Sequence, residues 1–373
     1  MSKRFYATVG VGVENIVGQE LTALGIEVAR TEPGRLRFEG ELDDLYRALI
    51  HLRCASRVVR EICFEEITHE EDIYDVVRDI DWTEWLTPEM TFRVTFNVHS
   101  SLLQSTRFGM YRIKDAICDQ MVERLGRRAS VDTESADLYV QCYLENRRFS
   151  IGLDGAGAPL HMRGYRSASH ESPLREHLAA AMVLQSRWDP AQPLHDPFCG
   201  SATILIEAAA IATNTPPTHW RKSFGCESWP DFDPDRFAQL RAEAESGILP
   251  ADGLRITGSD VSPRWIESAR ANVHSAGFGG VIRVAQGDVA AMELLPGTSI
   301  VTNPPYGIRV GDESTYLPTW NAFRDRMLLY PGTRMAMLVP AEGVEKAFRL
   351  RPFKRNRMNN GPIQCLLLQY EVH

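Results

Sequence analysis

The chain has 373 residues, of which 44% are hydrophobic and 24% are charged, a composition typical of globular domains. It contains no apolar run of about 18 residues, and its N-terminus lacks the apolar stretch of a secretory signal. A membrane or secreted protein is therefore not expected, and a cytoplasmic one is. The seven cysteines form no CxxC pair, which predicts reduced thiols and no metal site.

The formal net charge is -8, from 41 Lys and Arg against 49 Asp and Glu, which argues mildly against a polyanionic partner. Two segments depart from this average. Residues 93–128 contain seven basic residues against three acidic ones, and residues 346–357 contain six basic residues and no acid. Each segment predicts either an RNA-facing patch or a solvated face, and the charges alone leave both readings open.

The first half of the chain alternates short predicted strands and helices. In chain order the predicted elements are a strand at 5–9, a helix at 14–24, a strand at 36–38, a helix at 42–50, a strand at 58–64, a helix at 72–80, a strand at 91–98, a helix at 107–125, and strands at 137–144 and 148–153. This order predicts two small α+β units, at residues 1–65 and 66–154.

The second half has a different pattern. Gly155, Gly157 and Pro159 predict a linker over residues 155–172. A helix is predicted from Pro173, which suits a first helical turn, to about Ser186. Strand, turn, helix, strand, helix and strand then follow, an order that predicts a doubly wound α/β sheet within residues 173–373.

The sequence HDPFCGSAT at residues 195–203 is the first candidate ligand loop, because a strand ends, a small-residue turn follows and an apolar helix begins. Small residues let a ligand approach the backbone, and a helix N-terminus offers free N–H groups to a carboxylate. A purely structural turn explains this motif equally well.

Two acidic residues follow predicted strands. Asp260 comes just after a strand predicted at 254–258, and an acid at the end of such a strand binds ribose hydroxyls in dinucleotide folds. It lies 60 residues after Gly200, so the intervening segment is predicted to contain an insertion. Asp288 follows a strand at 281–285. A helix cap is the alternative role for both carboxylates.

The sequence NPPYG at residues 303–307 follows a predicted strand at 299–302 and is the most specific of the motifs. Its two prolines make a stiff turn, the Asn303 amide oxygen can accept a hydrogen bond, and Tyr306 offers a flat face to a base. All four loops are expected at the carboxyl edge of the sheet, where open α/β sheets bind ligands.

Together the motifs DPFCGSAT, GSD, QGD and NPPY resemble those of Rossmann-fold amine methyltransferases. An NPPY-type loop serves adenine-N6, guanine-N2 and protein-glutamine enzymes, so it indicates an amine acceptor without identifying it. LHMRGYR, SPLREHLAAAMV, IDWTEW, RFGMYRIKDAICD, WPDFD and NNGPIQCLLLQYEVH resemble the bacterial THUMP-domain RNA guanine-N2 methyltransferases, in particular the guanine-N2 half of RlmL-type 23S rRNA enzymes. This resemblance covers nearly the whole chain.

The resemblance implies a Rossmann-like S-adenosylmethionine methyltransferase domain preceded by ferredoxin-like and THUMP domains, with RNA as the partner. The residues expected to bind the cofactor are Asp196, Phe198, Cys199, Gly200, Ser201, Ala202, Thr203, Asp260, Asp288 and Asn303. The Asn303 oxygen and the Pro304 carbonyl are expected to accept the hydrogens of the target amine, and Tyr306 is expected to stack on the base.

Three other features of the sequence bear on the site. Ala202 stands where the family has the second glycine of GSGT, and its methyl group fits if its φ angle is negative. Cys199 lies in the turn at residues 198–203, which is expected to bind the cofactor and is called the cofactor turn below. It is not beside the acceptor loop, so a covalent mechanism on a ring carbon is not expected. His161, His170 and His177 are predicted to be polar surface or RNA contacts rather than metal ligands.

Several functions compete. N2-methylation of guanosine in 23S rRNA is expected first and the same reaction on tRNA second. Adenine-N6 methylation is disfavoured by the N-terminal half, which resembles RNA-binding modules. A non-enzymatic RNA-binding protein is disfavoured because all four loops retain usable chemistry.

Overall fold

A computed structural model describes residues 2–103, 105–167, 174–305, 313–341, 348–361 and 363–372, with backbone alone for 313–316. The strands are β1 (Lys3–Val9), β2 (Val28–Glu32), β3 (Arg35–Gly40), β4 (Ala55–Glu66), β5 (Thr91–His99), β6 (Ser130–Val131), β7 (Leu138–Glu145), β8 (Arg148–Asp154), β9 (Leu194–Asp196), β10 (Ile256–Asp260), β11 (Ile282–Gln286), β12 (Ser299–Thr302), β13 (Arg334–Pro340), β14 (Lys354–Asn360) and β15 (Ile363–Glu371).

The helices of the described residues lie between these strands. They are α1 (Glu14–Ala23), α2 (Leu42–His51), α3 (Asp72–Arg78), α4 (Thr106–Leu125), α5 (Glu176–Ser186), α6 (Thr203–Ala212), α7 (Pro234–Ser246), α8 (Pro263–Ser275) and α9 (Glu313–Met327). None of the helices in the described ranges is long and apolar enough to cross a membrane.

Most predicted elements are confirmed to within a few residues, and the differences have physical causes. The strands β2 and β6 were not predicted because they are short and largely exposed, so they show no apolar alternation. The helix α5 begins at Glu176, later than predicted, and Pro173 lies outside the described residues. The strand β10 begins two residues later than predicted, at Ile256.

The two predicted N-terminal units share one eight-stranded sheet, in the order β2-β3-β1-β4-β8-β7-β5-β6. The central pair is antiparallel, with β4 from the first unit and β8 from the second, and its register runs from Val59 opposite Asp154 to Glu66 opposite Arg148. The register of this pair shifts between Glu61 and Cys63. Because strand pairing still joins the units on both sides of this shift, the structure holds them in a fixed relative orientation.

The second half forms a seven-stranded sheet in the order β11-β10-β9-β12-β13-β15-β14. Strands β11, β10, β9, β12 and β13 are parallel, whereas β15 runs antiparallel to both β13 and β14. The chain order of the strands reverses between β9 and β12. The loops that follow β9 and its two neighbours therefore meet at the carboxyl edge of the sheet. The predicted doubly wound α/β class is confirmed.

The described part of the segment predicted as a linker, residues 155–167, packs between the two halves. Gly155, Ala156 and Gly157 are buried. Arg221, from the insertion between α6 and β10, donates hydrogen bonds to the carbonyls of Ala158 at 2.8 Å and Pro159 at 3.1 Å. These bonds hold the backbone of the segment against the insertion.

The rest of the insertion docks on the N-terminal half. The side chain of Asp233 caps α7, and its backbone N–H donates to the Tyr46 hydroxyl of α2 at 3.0 Å. Arg236 of α7 forms an ion pair with Asp43 of α2 at 2.6 Å, and Arg60 of β4 forms one with Asp231 at 2.8 Å. The insertion therefore ties the second half of the chain to the first N-terminal unit.

A close backbone contact joins the turn after β1 to the edge strand β14. Gly12 has a φ of 91°, and a Cβ there would overlap the Arg357 carbonyl oxygen. We expect Gly12→Ala to lower the free energy of unfolding by about 1–3 kcal/mol more than Gly25→Ala, measured by urea unfolding. Gly25 is the matched control, because its φ is also positive, 76°, but a Cβ there meets nothing within 4 Å. Equal losses would mean that this contact contributes nothing.

Candidate active site

The four predicted loops meet at the carboxyl edge of the second sheet. Strand β9 ends at Asp196, β10 at Asp260, β11 at Gln286 and β12 at Thr302, and parallel pairing places these ends side by side. The structure therefore brings together the cofactor turn, the two acidic loops and the Asn303 loop, as the strand order predicted.

Asp196 connects the first and fourth loops. Its carboxylate oxygen accepts hydrogen bonds from the Phe198 backbone N–H at 3.1 Å and from the Thr302 hydroxyl at 2.6 Å. The residue is buried, and burial raises the pKa of its carboxyl to about 7, against the opposing effect of these two hydrogen bonds. Asp196 therefore fixes the loop that leads to Asn303 relative to the cofactor turn.

The turn before α6 has left-handed backbone at two positions, with φ of 50° at Gly200 and 67° at Ala202. The condition on which the Ala202 methyl was expected to fit, a negative φ, is therefore not met. A left-handed non-glycine residue costs about 1–2 kcal/mol, so the surrounding structure must hold this turn. Gly258 lets the turn pack closely against β10, because a Cβ there would lie 2.5 Å from Leu205 and 2.8 Å from the Cys199 Cβ.

Asp260 also holds the cofactor turn. One of its carboxylate oxygens accepts from the Gly200 backbone N–H at 3.1 Å, and the other accepts from the Ser262 N–H at 2.9 Å. Each carboxylate oxygen has a further lone pair, and the side chain is half-buried, so ribose hydroxyls can still be bound. Its role as a local cap and its predicted role as a ligand group are compatible.

Asp288 is exposed and accepts a hydrogen bond from the Ala290 N–H at 2.9 Å, capping a one-turn 3-10 helix. Asp288 therefore has the role of a helix cap, the alternative that the sequence left open. The preceding Gly287 donates its N–H to the Asp260 carbonyl at 3.0 Å. Asp288 is thus held next to the Asp260 loop, and its contact with a ligand stays a prediction.

The Asn303 loop presents an acceptor without a donor. The Asn303 side-chain oxygen is buried and has no hydrogen-bond partner in the part of the chain that the structure describes. Pro304 is buried, and the Pro305 carbonyl accepts from the Trp320 indole N–H at 3.0 Å. Tyr306, predicted to stack on a base, lies outside the described residues.

Sequence reasoning missed the side chains that support the cofactor turn. Arg166 donates to the Ser201 hydroxyl at 3.2 Å, the Thr203 hydroxyl at 3.0 Å and a carboxylate oxygen of Glu176 at 2.5 Å. Asn272 of α8 donates to the Ser201 carbonyl at 3.1 Å. The only signal for Arg166 was its place in the LHMRGYR motif, and nothing in the sequence indicated Asn272.

The prediction of polar surface is wrong for two of the three histidines. His177 is buried and His161 is half-buried, with their ring centroids 4.9 Å apart, so neither is exposed polar surface. Burial lowers both pKa values, that of His161 to about 3, which keeps the pair neutral. His170 lies outside the described residues. No cluster of three or more metal-ligating side chains occurs in the described ranges.

Cys199 is buried, and burial raises the pKa of its thiol well above the usual range. A nucleophilic cysteine requires the thiolate. The environment therefore agrees with the expectation that Cys199 takes no covalent part in the chemistry.

Residues 163–369 match the family model described as the RMKL-like methyltransferase domain. The chain belongs to this family. Residues 4–59 match the RlmL ferredoxin-like domain and residues 68–154 match the THUMP domain. These matches confirm the predicted family and the predicted arrangement of a methyltransferase domain after ferredoxin-like and THUMP domains.

Individual relatives agree with the family. The ribosomal RNA large subunit methyltransferase K/L of Vibrio parahaemolyticus is 33% identical, over 99% of this chain and 53% of its own length. A putative RNA methyltransferase of Synechocystis sp. is 32% identical, over 100% of this chain and 97% of its own. The chain thus spans about half the length of the K/L relatives it matches.

Among solved structures, that of SMU.472, a putative methyltransferase complexed with SAH, superposes with a TM-score of 0.88 at 27% identity, covering 100% of this chain and 98% of the other. Membership of the RMKL-like methyltransferase family agrees with S-adenosylmethionine as the cofactor. The residues present suit this cofactor, since the turn before α6, the Asp260 carboxylate and the unpartnered Asn303 oxygen converge at one edge of the sheet.

Asp196 provides a pH-dependent prediction. Because the pKa of its carboxyl is raised, to about 7, the folded protein binds more protons than the unfolded chain between about pH 4 and pH 7. The stability of the ligand-free protein should therefore fall as pH rises through this window. Asp196→Asn should remove about 2 kcal/mol of the decrease between pH 5 and pH 8, measured by urea unfolding at each pH.

The exposed Asp252→Asn is the control for this experiment. Its unfolding free energy should follow the wild-type pH profile. If Asp196→Asn also followed that profile, the Asp196 carboxyl would have to ionise in the fold as easily as in the unfolded chain.

Asp260 provides a binding prediction. Asp260→Ala should weaken S-adenosylmethionine binding by about 1–3 kcal/mol, because a charge-assisted hydrogen bond is lost. Asp260→Asn is the matched variant, because it keeps one oxygen to accept from a backbone N–H and should lose less. Calorimetry on the full chain measures both affinities, and unchanged affinity in Asp260→Ala would contradict the assignment.

Proposed function

We propose that the chain transfers a methyl group from S-adenosylmethionine to the exocyclic N2 amine of a guanosine in RNA, with 23S rRNA as the first choice and tRNA as the second. The observation that carries this proposal is the buried Asn303 oxygen without a donor, at the edge where the cofactor turn lies. An amine with two hydrogens is the group that such an acceptor fits. The cytoplasm is the proposed location.

The cofactor would lie along the carboxyl edge of the sheet. The backbone of the turn at residues 198–203 would hold its methionine part, the Asp260 carboxylate its ribose hydroxyls and Asp288 its adenine amine. Asp196 would support this site by holding Phe198 and Thr302 in position. Helix α6 begins at Thr203, so its free N–H groups would face the carboxylate of the cofactor.

The guanine amine is a weak nucleophile because its lone pair is delocalised into the ring. The Asn303 oxygen and the Pro304 carbonyl would accept its two hydrogens and favour a pyramidal nitrogen, which directs the lone pair outward. Tyr306 would stack on the base. When bound, the cofactor supplies a methyl group on a positively charged sulfur, so the role of the protein is mainly positioning.

RNA binding is assigned to the N-terminal half, where the predicted boundaries of 1–65 and 66–154 remain proposals. Part of the basic segment 93–128 is neutralised, since Arg124 pairs with Asp81, Arg127 with Glu89 and Lys114 with Asp115. These pairs reduce the charge that faces RNA. The segment as a whole is therefore less suited to phosphate than its composition indicated.

The N-terminal turns of α4 keep a surface that suits RNA. Phe108 is 48% exposed and Tyr111 is 42% exposed, and Arg107 donates to the Tyr111 hydroxyl at 3.0 Å. Exposed aromatic rings beside a cation bind unstacked bases and phosphates. We call residues 107–111 the α4 aromatic surface and propose that it contacts RNA.

The acceptor assignment predicts a separation of binding from catalysis. Asn303→Ala should abolish most methyl transfer while changing S-adenosylmethionine affinity little, because the amide acts on the amine as the transition state forms. Asn303→Asp, which keeps an acceptor oxygen, should retain more activity. Transfer of labelled methyl to purified RNA and calorimetry with the cofactor measure the two effects. Near-normal turnover in Asn303→Ala would place the acceptor site elsewhere.

The product identifies the substrate. Mass spectrometry of nucleosides from 23S rRNA and tRNA treated with the full-length protein should show N2-methylguanosine, first in rRNA. Methyladenosine would support the adenine-N6 alternative, and N2-methylguanosine in tRNA alone would support the second choice.

The α4 aromatic surface gives a prediction for RNA affinity. Phe108→Ala should raise the KM for RNA, with a loss of about 1–3 kcal/mol for a stacked base, and leave the KM for S-adenosylmethionine unchanged. Val122→Ala is the matched control, because Val122 is an exposed apolar residue on the same helix, 47% exposed. If both variants had the same RNA kinetics, this surface would not contact the substrate.

A further inference from the structure

A second cavity lies at the amino edge of the catalytic sheet, opposite the cofactor loops. Its volume is about 240 Å³, and it lies where β12 begins at Ser299 and β13 begins at Arg334. Strand β12 has four residues, so about 13 Å of strand separate this cavity from the Asn303 loop. The cavity is therefore not part of the active site already described.

The polar groups around this cavity are mostly hydrogen-bond donors. Gln369 lines it and is 4% exposed, and its amide nitrogen is buried without an acceptor among the described residues. Arg187 and Lys354 also line it, and neither forms an ion pair within the described ranges. The lining carboxylate, Glu371, lies 3.8 Å from Arg334, which partly neutralises it. A donor-rich cavity of this kind favours an anion.

An aromatic ring stands beside these donors. Phe353 lines the same cavity and is 61% exposed, although it lies directly before the cationic Lys354. The exposed ring is therefore accessible to a ligand that occupies the cavity. A flat ring close to phosphate-binding donors is the arrangement that binds a nucleotide, through stacking on the base and charge on the phosphate.

The basic residues of β14 have another explanation, because β14 is the outer strand of its sheet and charged residues on edge strands prevent aggregation. That explanation accounts for Lys354 on the exposed edge. It does not account for the buried Gln369 donor or for the exposed Phe353 ring, both of which belong to the cavity.

The geometry points to a second binding site for a nucleotide unit in this cavity, with Lys354, Arg187 and the Gln369 amide on the phosphate and Phe353 on the base. The nucleotide has two sources, a unit of the RNA substrate or a free nucleotide. The RNA source rests on the proposed function, whereas the site itself does not.

The test uses the full chain, guanosine 5′-monophosphate and inorganic phosphate as probes in equilibrium dialysis, and the KM for RNA. Lys354→Ala and Gln369→Leu should each weaken nucleotide binding about three- to tenfold, the size of the net contribution of one hydrogen bond. Arg351→Ala is the matched control, an exposed basic residue of the same segment that does not line the cavity. Thermal unfolding checks that Gln369→Leu folds, and Lys354→Ala changes an exposed side chain.

A higher KM for RNA in these variants, with competition by the nucleotide, supports RNA as the source. Weakened nucleotide binding with unchanged RNA kinetics supports a free nucleotide. If the protein methylated no RNA, the proposed function would fail, yet the dialysis would still decide this site. Absence of nucleotide binding together with RNA kinetics equal to those of Arg351→Ala overturns the inference, as does equal affinity for inorganic phosphate and the nucleotide.

Discussion

One buried guanidinium, that of Arg163, joins the first N-terminal unit, the connecting segment and helix α6. It donates to the Leu160 carbonyl at 2.9 Å, to the Arg53 carbonyl of the first N-terminal unit and to the Glu207 carboxylate of α6 at 3.4 Å. The side chains of Arg163 and Glu207 are 0% and 2% exposed. Removing one partner of such a pair leaves an uncompensated buried charge, which costs about 3–5 kcal/mol. The N-terminal units, the connecting segment and the cofactor helix are thus held in one relative position.

Arg166 extends this connection to the chemistry. It lies three residues after Arg163 and reaches the hydroxyls of Ser201 and Thr203, on either side of the strained Ala202. A left-handed alanine persists where its surroundings hold the backbone in place. The segment between the halves therefore holds the cofactor turn in shape while it fixes the turn's distance from the N-terminal units. This coupling suits an enzyme that must hold a large substrate at a set reach from one reactive atom.

Features that depend on a local sequence pattern could be predicted, whereas features that depend on contacts between distant residues could not. Strand ends near Asp196, near Asp260 and at Thr302 could be predicted because apolar strands followed by polar loops mark the carboxyl edge of a parallel sheet. The sign of φ at Ala202 could not, because it depends on a turn held by distant residues. Nor could the partners of Arg166, which lie 35 and 37 residues away in the chain. A Gly-rich segment has the composition of a linker whether it is extended or buried, so composition could not show that 155–157 would be buried.

The Asn303 oxygen is the group that would meet the target amine in the proposed function, and the fold holds it in place. A buried acceptor without a donor costs about 1–3 kcal/mol, and rotation toward solvent would relieve that cost. The loop is held against such a change on both sides, by the Thr302 hydroxyl bound to Asp196 and by the Trp320 indole bound to the Pro305 carbonyl. Contacts in the sheet and with α9 therefore keep the Asn303 oxygen buried without a donor. In the proposed reaction, a donor that enters the site would gain the hydrogen bond without rearranging the loop, so the interaction would be available as the target nitrogen becomes pyramidal.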